Sequence, residues 1–289
     1  MPYLYLISSV FLAAATNVFG AFFNRKNKDG KDATAFYNLL LCSAAFLCWL
    51  GYFFFDFSFH WKVLPYSVLF GGCYALCNIG YIKASKIGPA SLSALFISFA
   101  LLGVSVWGFI FWDAPVTTLG IIGIVLVACS VVFCLYEKKT DEDKKFSWKW
   151  LFWALMAFVG NAGCSIVQRT QQMKMNNQHA GALMVFALLF SVLTNLFLWI
   201  KEDKSECKQV FKRLGAFPIV AGAGNFLLNL FVILLAATTL SPALIYPVIG
   251  IGELMVTMLF SVSVLKERLK WWQWLGIVIG AVAILLLSL

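Results

Sequence analysis

Long apolar segments and short polar connectors alternate along the whole chain. A helix needs roughly 20 apolar residues to cross the hydrocarbon core of a bilayer, and each apolar segment is about that long. The pattern therefore predicts an all-α integral membrane protein with ten transmembrane helices. The ten predicted segments are residues 3–23, 36–55, 64–84, 89–112, 117–136, 149–168, 180–200, 214–236, 242–264 and 271–289.

The composition narrows the class of protein further. Of 289 residues, 62% are hydrophobic and only 12% are charged, whereas soluble domains carry about 25% charged residues. This excludes a soluble enzyme, a disordered chain and a large domain outside the membrane. A porin-like barrel is excluded as well, because its strands would appear as alternating segments of about ten residues.

Basic residues are distributed very unevenly between the two sides of the predicted bundle. Nineteen of the 22 Lys and Arg residues lie in or beside connectors that follow odd-numbered segments, and three lie elsewhere. Cytoplasmic loops carry the excess of Lys and Arg. We therefore expect the odd-numbered loops in the cytoplasm and both termini outside, in a plasma or inner membrane. Because the basic residues serve this orientation, the net charge of +9 does not indicate nucleic-acid binding.

The two halves of the chain match each other. Asn17 recurs 144 positions later as Asn161. Further pairs recur at an offset of 153, namely Pro65/Pro218, Gly71/Gly224, Pro89/Pro242, Ala90/Ala243 and Gly123/Gly276. Five spans are an odd number, so the second repeat (146–289) is predicted to be inverted relative to the first (1–145). Inverted repeats are typical of secondary transporters that bind substrate near the bilayer midplane.

A charged motif precedes the last segment. The chain reads Leu-Lys-Glu-Arg-Leu at 265–269, followed by Gln273, Gly276 and Gly280, with a Ser-Pro-Ala turn at 241–243. In these residues the chain resembles the drug/metabolite transporter superfamily, specifically its ten-helix EamA-like family. The first repeat departs from the pattern, because Asp-Ala-Pro at 113–115 replaces the expected acidic, basic and Leu run.

The resemblance implies a solute carrier with a central cavity lined by helices 1, 3, 4, 6, 8 and 9. It does not identify a substrate, because the family transports many compounds. Many members have cytoplasmic termini, which disagrees with the distribution of basic residues. Because the basic residues are so unevenly distributed, we keep the prediction that both termini lie outside.

Polar residues inside the segments indicate which helix faces avoid lipid. In the third segment they recur every three or four positions, which places them on one helical face. Similar faces occur on helices 1, 6, 8 and 9, whereas helices 5 and 10 have almost none. These residues either line a cavity or act as packing contacts between helices. The candidate substrate or coupling residues, besides an acidic one considered next, are Asn17, Tyr74, Asn78, Ser98, Trp153, Asn161, Gln168, Asn225, Asn229, Tyr246 and Thr257.

Glu253 is the one acidic residue near the centre of a predicted span. An ionisable side chain there costs about 3 kcal/mol, so it is a functional candidate by default. In one hypothesis Glu253 holds a proton when the cavity is empty and releases it when a cationic substrate or Na⁺ binds. In a second it stays protonated and hydrogen-bonded to a neighbouring helix, and in a third it contacts the substrate without coupling.

The residues that are missing also limit the substrate. No Lys or Arg lies in the middle of a span, so polyanions such as nucleotides or sugar phosphates lack the cations that would offset their desolvation. One acid among Trp, Tyr and Phe suits an amine, a quaternary ammonium, an aromatic amino acid or a neutral metabolite. Neither His60 nor His179 lies in a recognisable catalytic arrangement, so we do not expect catalysis, a cofactor or a metal site. The sequence has no phosphate-binding loop motif, so we do not expect ATP hydrolysis. The eight cysteines are interpreted as small interior residues.

The leading hypothesis is a secondary active transporter of a small organic metabolite or a cationic or aromatic compound, coupled to H⁺ or Na⁺ through Glu253. The alternatives are a lipid flippase of the same fold and a multidrug exporter of lipophilic cations. An intramembrane enzyme ranks last. The Gly276 and Gly280 pair forms a small-residue motif that serves either packing within the monomer or a homodimer contact.

Overall fold

The structure, a computed structural model, describes residues 2–27, 30, 32–55, 57–112, 117–135, 147–176, 178–202, 204–236 and 242–287. Within these ranges the chain forms twelve α-helices and no strand. The helices are α1 (Pro2–Lys26), α2 (Thr34–Phe55), α3 (Val63–Ile87), α4 (Ala90–Ser98), α5 (Ala100–Phe111), α6 (Thr118–Leu135), α7 (Trp148–Lys174), α8 (Ala180–Lys201), α9 (Cys207–Leu214), α10 (Ala216–Ala236), α11 (Pro242–Ser263) and α12 (Trp271–Leu287).

The helices coincide with the predicted segments, with two differences. The fourth segment is divided at Phe99 into α4 and α5. The connector after the seventh segment contains the short helix α9, which is amphipathic. Val210 and Leu214 of α9 are buried, whereas Lys208 and Lys212 are exposed. Its polar composition hides this helix from a search for apolar segments.

In the described part of the chain, seven helical stretches are long and apolar enough to cross a membrane, namely α1, α2, α3, the run from α4 to α5, α7, α8 and α10. The apolar parts described for α6, α11 and α12 are shorter. Helices satisfy their own backbone hydrogen bonds, as the hydrocarbon core requires. The chain is a multi-pass helical membrane protein, and the count of ten spans stays a prediction.

Helices α6 and α12 pack against each other. The Ser130 hydroxyl of α6 donates a hydrogen bond of 2.6 Å to the carbonyl oxygen of Gly276 on α12. A Cβ atom at Gly280 would lie only 2.9 Å from the same hydroxyl oxygen. The small-residue motif of the last helix is therefore occupied by α6 within the monomer.

The crossing of α3 and α7 depends on glycine. A Cβ atom at Gly160 of α7 would lie 2.5 Å from the backbone nitrogen of Cys77, and one at Gly80 of α3 would lie 2.6 Å from that of Ala157. Two backbones can approach this closely only where side chains are absent. The crossing brings the polar faces of α3 and α7 to the centre of the bundle.

Two further glycines allow close approach between the halves of the chain. A Cβ atom at Gly71 of α3 would overlap the carbonyl oxygen of Ala187 on α8. A Cβ atom at Gly222 of α10 would overlap that of Leu41 on α2. The helix pairs α3–α8 and α2–α10 are thus packed in the same way.

One cysteine differs from the expectation. Cys129 on α6 is exposed, because among the described helices α6 packs mainly against α12. The other six cysteines with described side chains are buried or partly buried free thiols. The side chain of Cys134 lies outside the described part of the chain.

We expect Gly160→Ala to destabilise the protein, because the added methyl group overlaps the backbone of α3. Overpacking of this kind costs about 1–3 kcal/mol. The change is measured as a lower midpoint of thermal unfolding in detergent. Gly51→Ala is the matched control, since a Cβ atom at Gly51 meets no atom within 4 Å. Equal midpoints for the two variants would contradict the proposed tight crossing.

Candidate functional site

A cavity of about 220 Å³ lies at the centre of the helix bundle. Residues of α1, α2, α3, α4, α7, α8, α10 and α11 line it, and no described residue of α5, α6 or α12 does. Asn161 and Glu253 lie near the midpoints of their helices, so the cavity is at mid-depth. Its polar and aromatic lining is Thr16, Asn17, Tyr37, Trp49, Phe70, Tyr74, Asn78, Tyr81, Asn161, Ser165, Gln168, Asn225, Asn229 and Glu253.

Glu253 provides the carboxylate of this cavity. Its Oε1 accepts a hydrogen bond of 2.5 Å from the Asn17 side-chain amide, and the Glu253 side chain is partly buried. Asn17 is held in turn by α3, because the Tyr81 hydroxyl donates to the Asn17 carbonyl oxygen at 2.8 Å. These bonds connect α11, α1 and α3 around the acid.

A comparable bond forms where α4 ends. The Asn161 side-chain amide of α7 donates to the carbonyl oxygen of Ile97 at 3.1 Å. Just beyond, the N–H of Leu102 donates to the carbonyl of Phe99 at 2.8 Å, a three-residue bond that replaces the regular α-helical one. The interruption between α4 and α5 at Phe99 thus lies beside the Ile97 carbonyl, which accepts a hydrogen bond from the Asn161 side chain.

Other amides of the lining bond to their own helices. Asn78 donates to the Tyr74 carbonyl at 2.9 Å, and Asn229 donates to the Asn225 carbonyl at 2.8 Å. The Asn229 amide also donates to the Asn225 side-chain oxygen at 3.2 Å, whereas the bond of Asn78 uses one N–H of an amide that has two N–H groups and one carbonyl oxygen. The remaining groups supply neutral hydrogen-bonding capacity to the cavity.

Cations are held away from the acid by aromatic rings. The Lys83 Nζ atom lies 4.4 Å from the centroid of the Trp153 ring, and the Arg169 guanidinium lies 5.6 Å from that of Trp112. Such contacts stabilise a cation near the end of a span. No Lys or Arg belongs to the cavity lining in the described residues, which leaves Glu253 as the single formal charge there.

Residues 148–289, the second half of the chain, match the model of the EamA-like transporter family. This half of the chain belongs to the family. The resemblance predicted from the motif at 265–269 is confirmed, and the polar cavity described above lies at the centre of an EamA-like bundle.

Solved structures share the fold. Among 28 matching chains, a protein of known crystal structure has a TM-score of 0.60 and 12% sequence identity, with 96% of each chain covered. At this identity the likeness concerns the fold alone. A search of curated proteins gave no match.

Eight of the predicted residues line the cavity of this EamA-like protein. They come from α1, α3, α7, α10 and α11. They are Asn17, Tyr74, Asn78, Asn161, Gln168, Asn225, Asn229 and Glu253.

Three predicted residues do not line the cavity. The Trp153 ring lies beneath Lys83, and the Ser98 hydroxyl donates to the Ala94 carbonyl of its own helix at 3.1 Å. Thr257 is 1% exposed and lies one turn beyond Glu253 on α11, in the packed part of the bundle. The side chain of Tyr246 lies outside the described residues.

The sequence reasoning missed two helices. Tyr37 and Trp49 of α2 belong to the lining, and so do Met184 and Leu188 of α8. These two helices correspond to the second and seventh predicted segments, whereas only segments 1, 3, 4, 6, 8 and 9 were expected there. Aromatic and apolar residues also cover lipid-facing surfaces, so hydropathy did not identify these residues as part of a cavity. The spacing of Tyr37, Leu41 and Trp49 at multiples of four residues was the available signal.

The family motif joins helix ends on the side of the odd-numbered loops, and we call this set of contacts the closure. Lys266 has a left-handed conformation with φ of 51°, and the Glu267 N–H donates to the Ser261 carbonyl at 3.0 Å. This turn carries the Glu267 carboxylate to the start of α4, where it accepts from the Ala90 N–H at 2.7 Å and the Ser91 hydroxyl at 2.7 Å. A carboxylate at a helix N-terminus is stabilising.

The end of α1 takes part in the same closure. The Arg25 guanidinium donates to the Leu265 carbonyl. Asn24 donates to the Ile82 carbonyl at 2.7 Å and to the Ser85 hydroxyl at 2.8 Å. Together with Glu267, these bonds join α1, α3, α4 and the loop after α11. An apolar cluster lies between them and consists of Ala21, Phe22, Ala90, Phe260 and Leu265.

Glu202 has a similar role at the start of α2. Its carboxylate accepts from the Ala35 N–H at 2.8 Å and from the Phe36 N–H at 3.3 Å. Burial raises the pKa of Glu202, and the two N–H donors oppose this change. Two carboxylates outside the spans therefore satisfy helix N-termini on this side of the bundle.

We expect Glu267→Ala to loosen the closure, because the helix α4 N-terminus loses its acceptor. Hydrogen bonds to a charged group contribute about 1.5–3 kcal/mol, so the unfolding midpoint falls. The thiols of Cys77 and Cys164, which line the cavity, should react faster with a water-soluble maleimide. Arg268→Ala, on the exposed neighbouring residue, is the control. Unchanged labelling of both thiols in Glu267→Ala would rule out a gate at this motif.

Proposed function

We propose that this protein is a secondary active transporter that moves a small organic solute by alternating access and couples the movement through Glu253. The observation that carries the proposal is the Glu253–Asn17 hydrogen bond of 2.5 Å at the wall of a mid-depth cavity. A carboxylate in the interior of a membrane bundle is costly, so its presence there indicates a function. The bond also joins helices of the two halves of the chain.

The arrangement of helices supports two inverted five-helix repeats, 1–145 and 146–289. Exchanging the halves turns α1 into α7, α3 into α10, and the run α4–α5 into α11. The helix contacts are symmetric under this exchange. Helix α3 packs on α7, and correspondingly α10 packs on α1. Helix α1 packs on α11, and correspondingly α7 packs on α5. Helix pairs α2–α8 and α6–α12 map onto themselves. Such a plan suits rocking of one bundle against the other around a fixed site.

Coupling in this mechanism is a competition for one carboxylate. A proton or Na⁺ and a cationic solute both need the Glu253 oxygens, so their binding is mutually exclusive. Asn17 holds the carboxylate in place from the other repeat, and a change in occupancy of Glu253 therefore alters a contact between the repeats. The excess of basic residues supports a cytoplasmic position for the odd-numbered loops, which makes the closure at Glu267 a cytoplasmic gate.

The size of the cavity favours a solute over a lipid. A volume of about 220 Å³ lies below the range of about 300–1,000 Å³ that is usual for pockets that bind drug-sized ligands. This accommodates a small metabolite but not a phospholipid or a large lipophilic drug. The flippase and the multidrug exporter remain as outcomes of the test rather than as parts of the proposal.

We expect Glu253→Gln to abolish solute-dependent proton movement while the protein still folds, because Gln keeps the volume and the hydrogen bond but cannot exchange a proton. Proteoliposomes with an entrapped pH dye receive choline or phenethylamine, and the luminal pH is followed. Glu206→Gln, outside the spans, is the control for loss of an acidic charge.

Proton movement that persists in Glu253→Gln would remove the coupling role of Glu253. Scrambling of a fluorescent phospholipid by the wild type, with no response to either amine, would favour the flippase. Responses only to large lipophilic cations such as tetraphenylphosphonium would favour the multidrug exporter.

A further inference from the structure

The cavity has hydrogen-bond donors that no part of the described chain satisfies. The Tyr37 hydroxyl, the Trp49 indole N–H and the Tyr74 hydroxyl are buried and have no partner, and all three side chains line the cavity. Trp49 is fully buried and Tyr37 is 1% exposed. Buried polar groups in native proteins nearly always have a partner, and an unpaired one calls for an explanation.

These three residues form one side of the cavity, which we name the donor wall. They belong to α2 and α3, and α2 packs against α3, α8 and α10. Glu253 belongs to α11, which packs against α1, α4 and α12. Tyr37 and Trp49 on α2 therefore lie on a different side of the cavity from Glu253, and Tyr74 lies between them, because α3 packs both against α2 and against α1 and α4.

Tyr74 is the member of the donor wall at the depth of Glu253. It lies at the middle of α3, as Glu253 does in α11. Tyr37 and Trp49 are separated by about 18 Å along α2, at 1.5 Å per residue, so they flank Tyr74 toward opposite ends of the cavity. One acceptor group can therefore contact Tyr74 with at most one of the other two.

Packing fixes the donor rings in place. The Tyr74 ring stacks near Phe70 with a centroid distance of 6.2 Å, and the Trp49 ring contacts Phe226 edge-on at 5.2 Å. Rigid aromatic donors lose little conformational freedom when a ligand binds. A preorganised donor is what recognition of an acceptor oxygen requires.

The polar groups of the cavity are complementary to a zwitterion. An acid on one side attracts a cation, and hydroxyl and indole donors on the other side attract an acceptor oxygen. Hydroxyl-to-carboxylate bonds are short and strong, whereas the neutral lining provides no cation to balance a phosphate dianion. The volume of about 220 Å³ limits the compound to a small one.

We propose that the donor wall is a binding subsite for the carboxylate of a small zwitterionic solute, with Tyr74 as its central donor and the cationic group of the solute at Glu253. This inference rests on the proposed transport function. It assigns a role to Tyr37 and Trp49, and it makes Tyr74 a specificity residue rather than a coupling residue.

Matched pairs of compounds that differ in a carboxylate test the subsite. Glycine betaine is compared with choline, and phenylalanine with phenethylamine, by calorimetric titration of the detergent-solubilised protein. The wild type should bind the carboxylate-bearing member of a pair about tenfold more tightly, as expected for hydrogen bonds to a charged group. Tyr74→Phe should remove this preference and leave the affinity for the carboxylate-free member unchanged.

Two further variants make the outcome decisive. Tyr66→Phe changes a tyrosine of α3 outside the cavity lining and should keep the preference, while Glu253→Gln should weaken both members of each pair. Binding that depends on Glu253 but shows no carboxylate preference, or a preference that survives Tyr74→Phe, overturns the subsite alone. If no compound binds the wild type, the proposed cation site fails and the donor wall fails with it.

Discussion

The hydrogen bond between Asn17 and Glu253 is the interaction on which the interior of this bundle depends. An uncompensated carboxylate at mid-depth would destabilise α11 in the membrane, and among the described residues one amide donor, from α1, makes it tolerable. One donor leaves the other carboxylate lone pairs available. The acid is thus stable enough to be buried and unsatisfied enough to bind a cation, which a fully paired residue would not be.

The contrast with Glu267 shows how surroundings separate two carboxylates of one protein. Glu267 accepts bonds from the start of α4 and has no share in the cavity lining. The left-handed turn at Lys266 brings it there. Position, rather than residue type, makes Glu267 part of a closure and Glu253 part of a site.

Much of the architecture could be predicted from the sequence, because lipid imposes a strong condition on composition. Apolar length located the helices, and the polar spacing of Tyr74 and Asn78 located a face that lines the cavity. The same reasoning misplaced Trp153 and Thr257, since a period of 3.6 residues defines a stripe but not which part of it meets a cavity. Whether an aromatic residue such as Trp49 faces lipid or a cavity depends on neighbouring helices that hydropathy does not describe.

The helix crossings explain why the polar residues converge at all. Without side chains at Gly80 and Gly160, α3 and α7 approach closely, and the polar residue Asn161 of α7 also bonds to the Ile97 carbonyl of α4. The same crossing places Tyr74 of α3 and Asn161 of α7 in the lining of one cavity with Glu253. Small residues at the periphery of the site therefore determine its width. Side chains at these glycines would push α3 and α7 apart and move Tyr74 and Asn161 relative to the rest of the lining, so the packing of the crossing and the shape of the cavity depend on the same contacts.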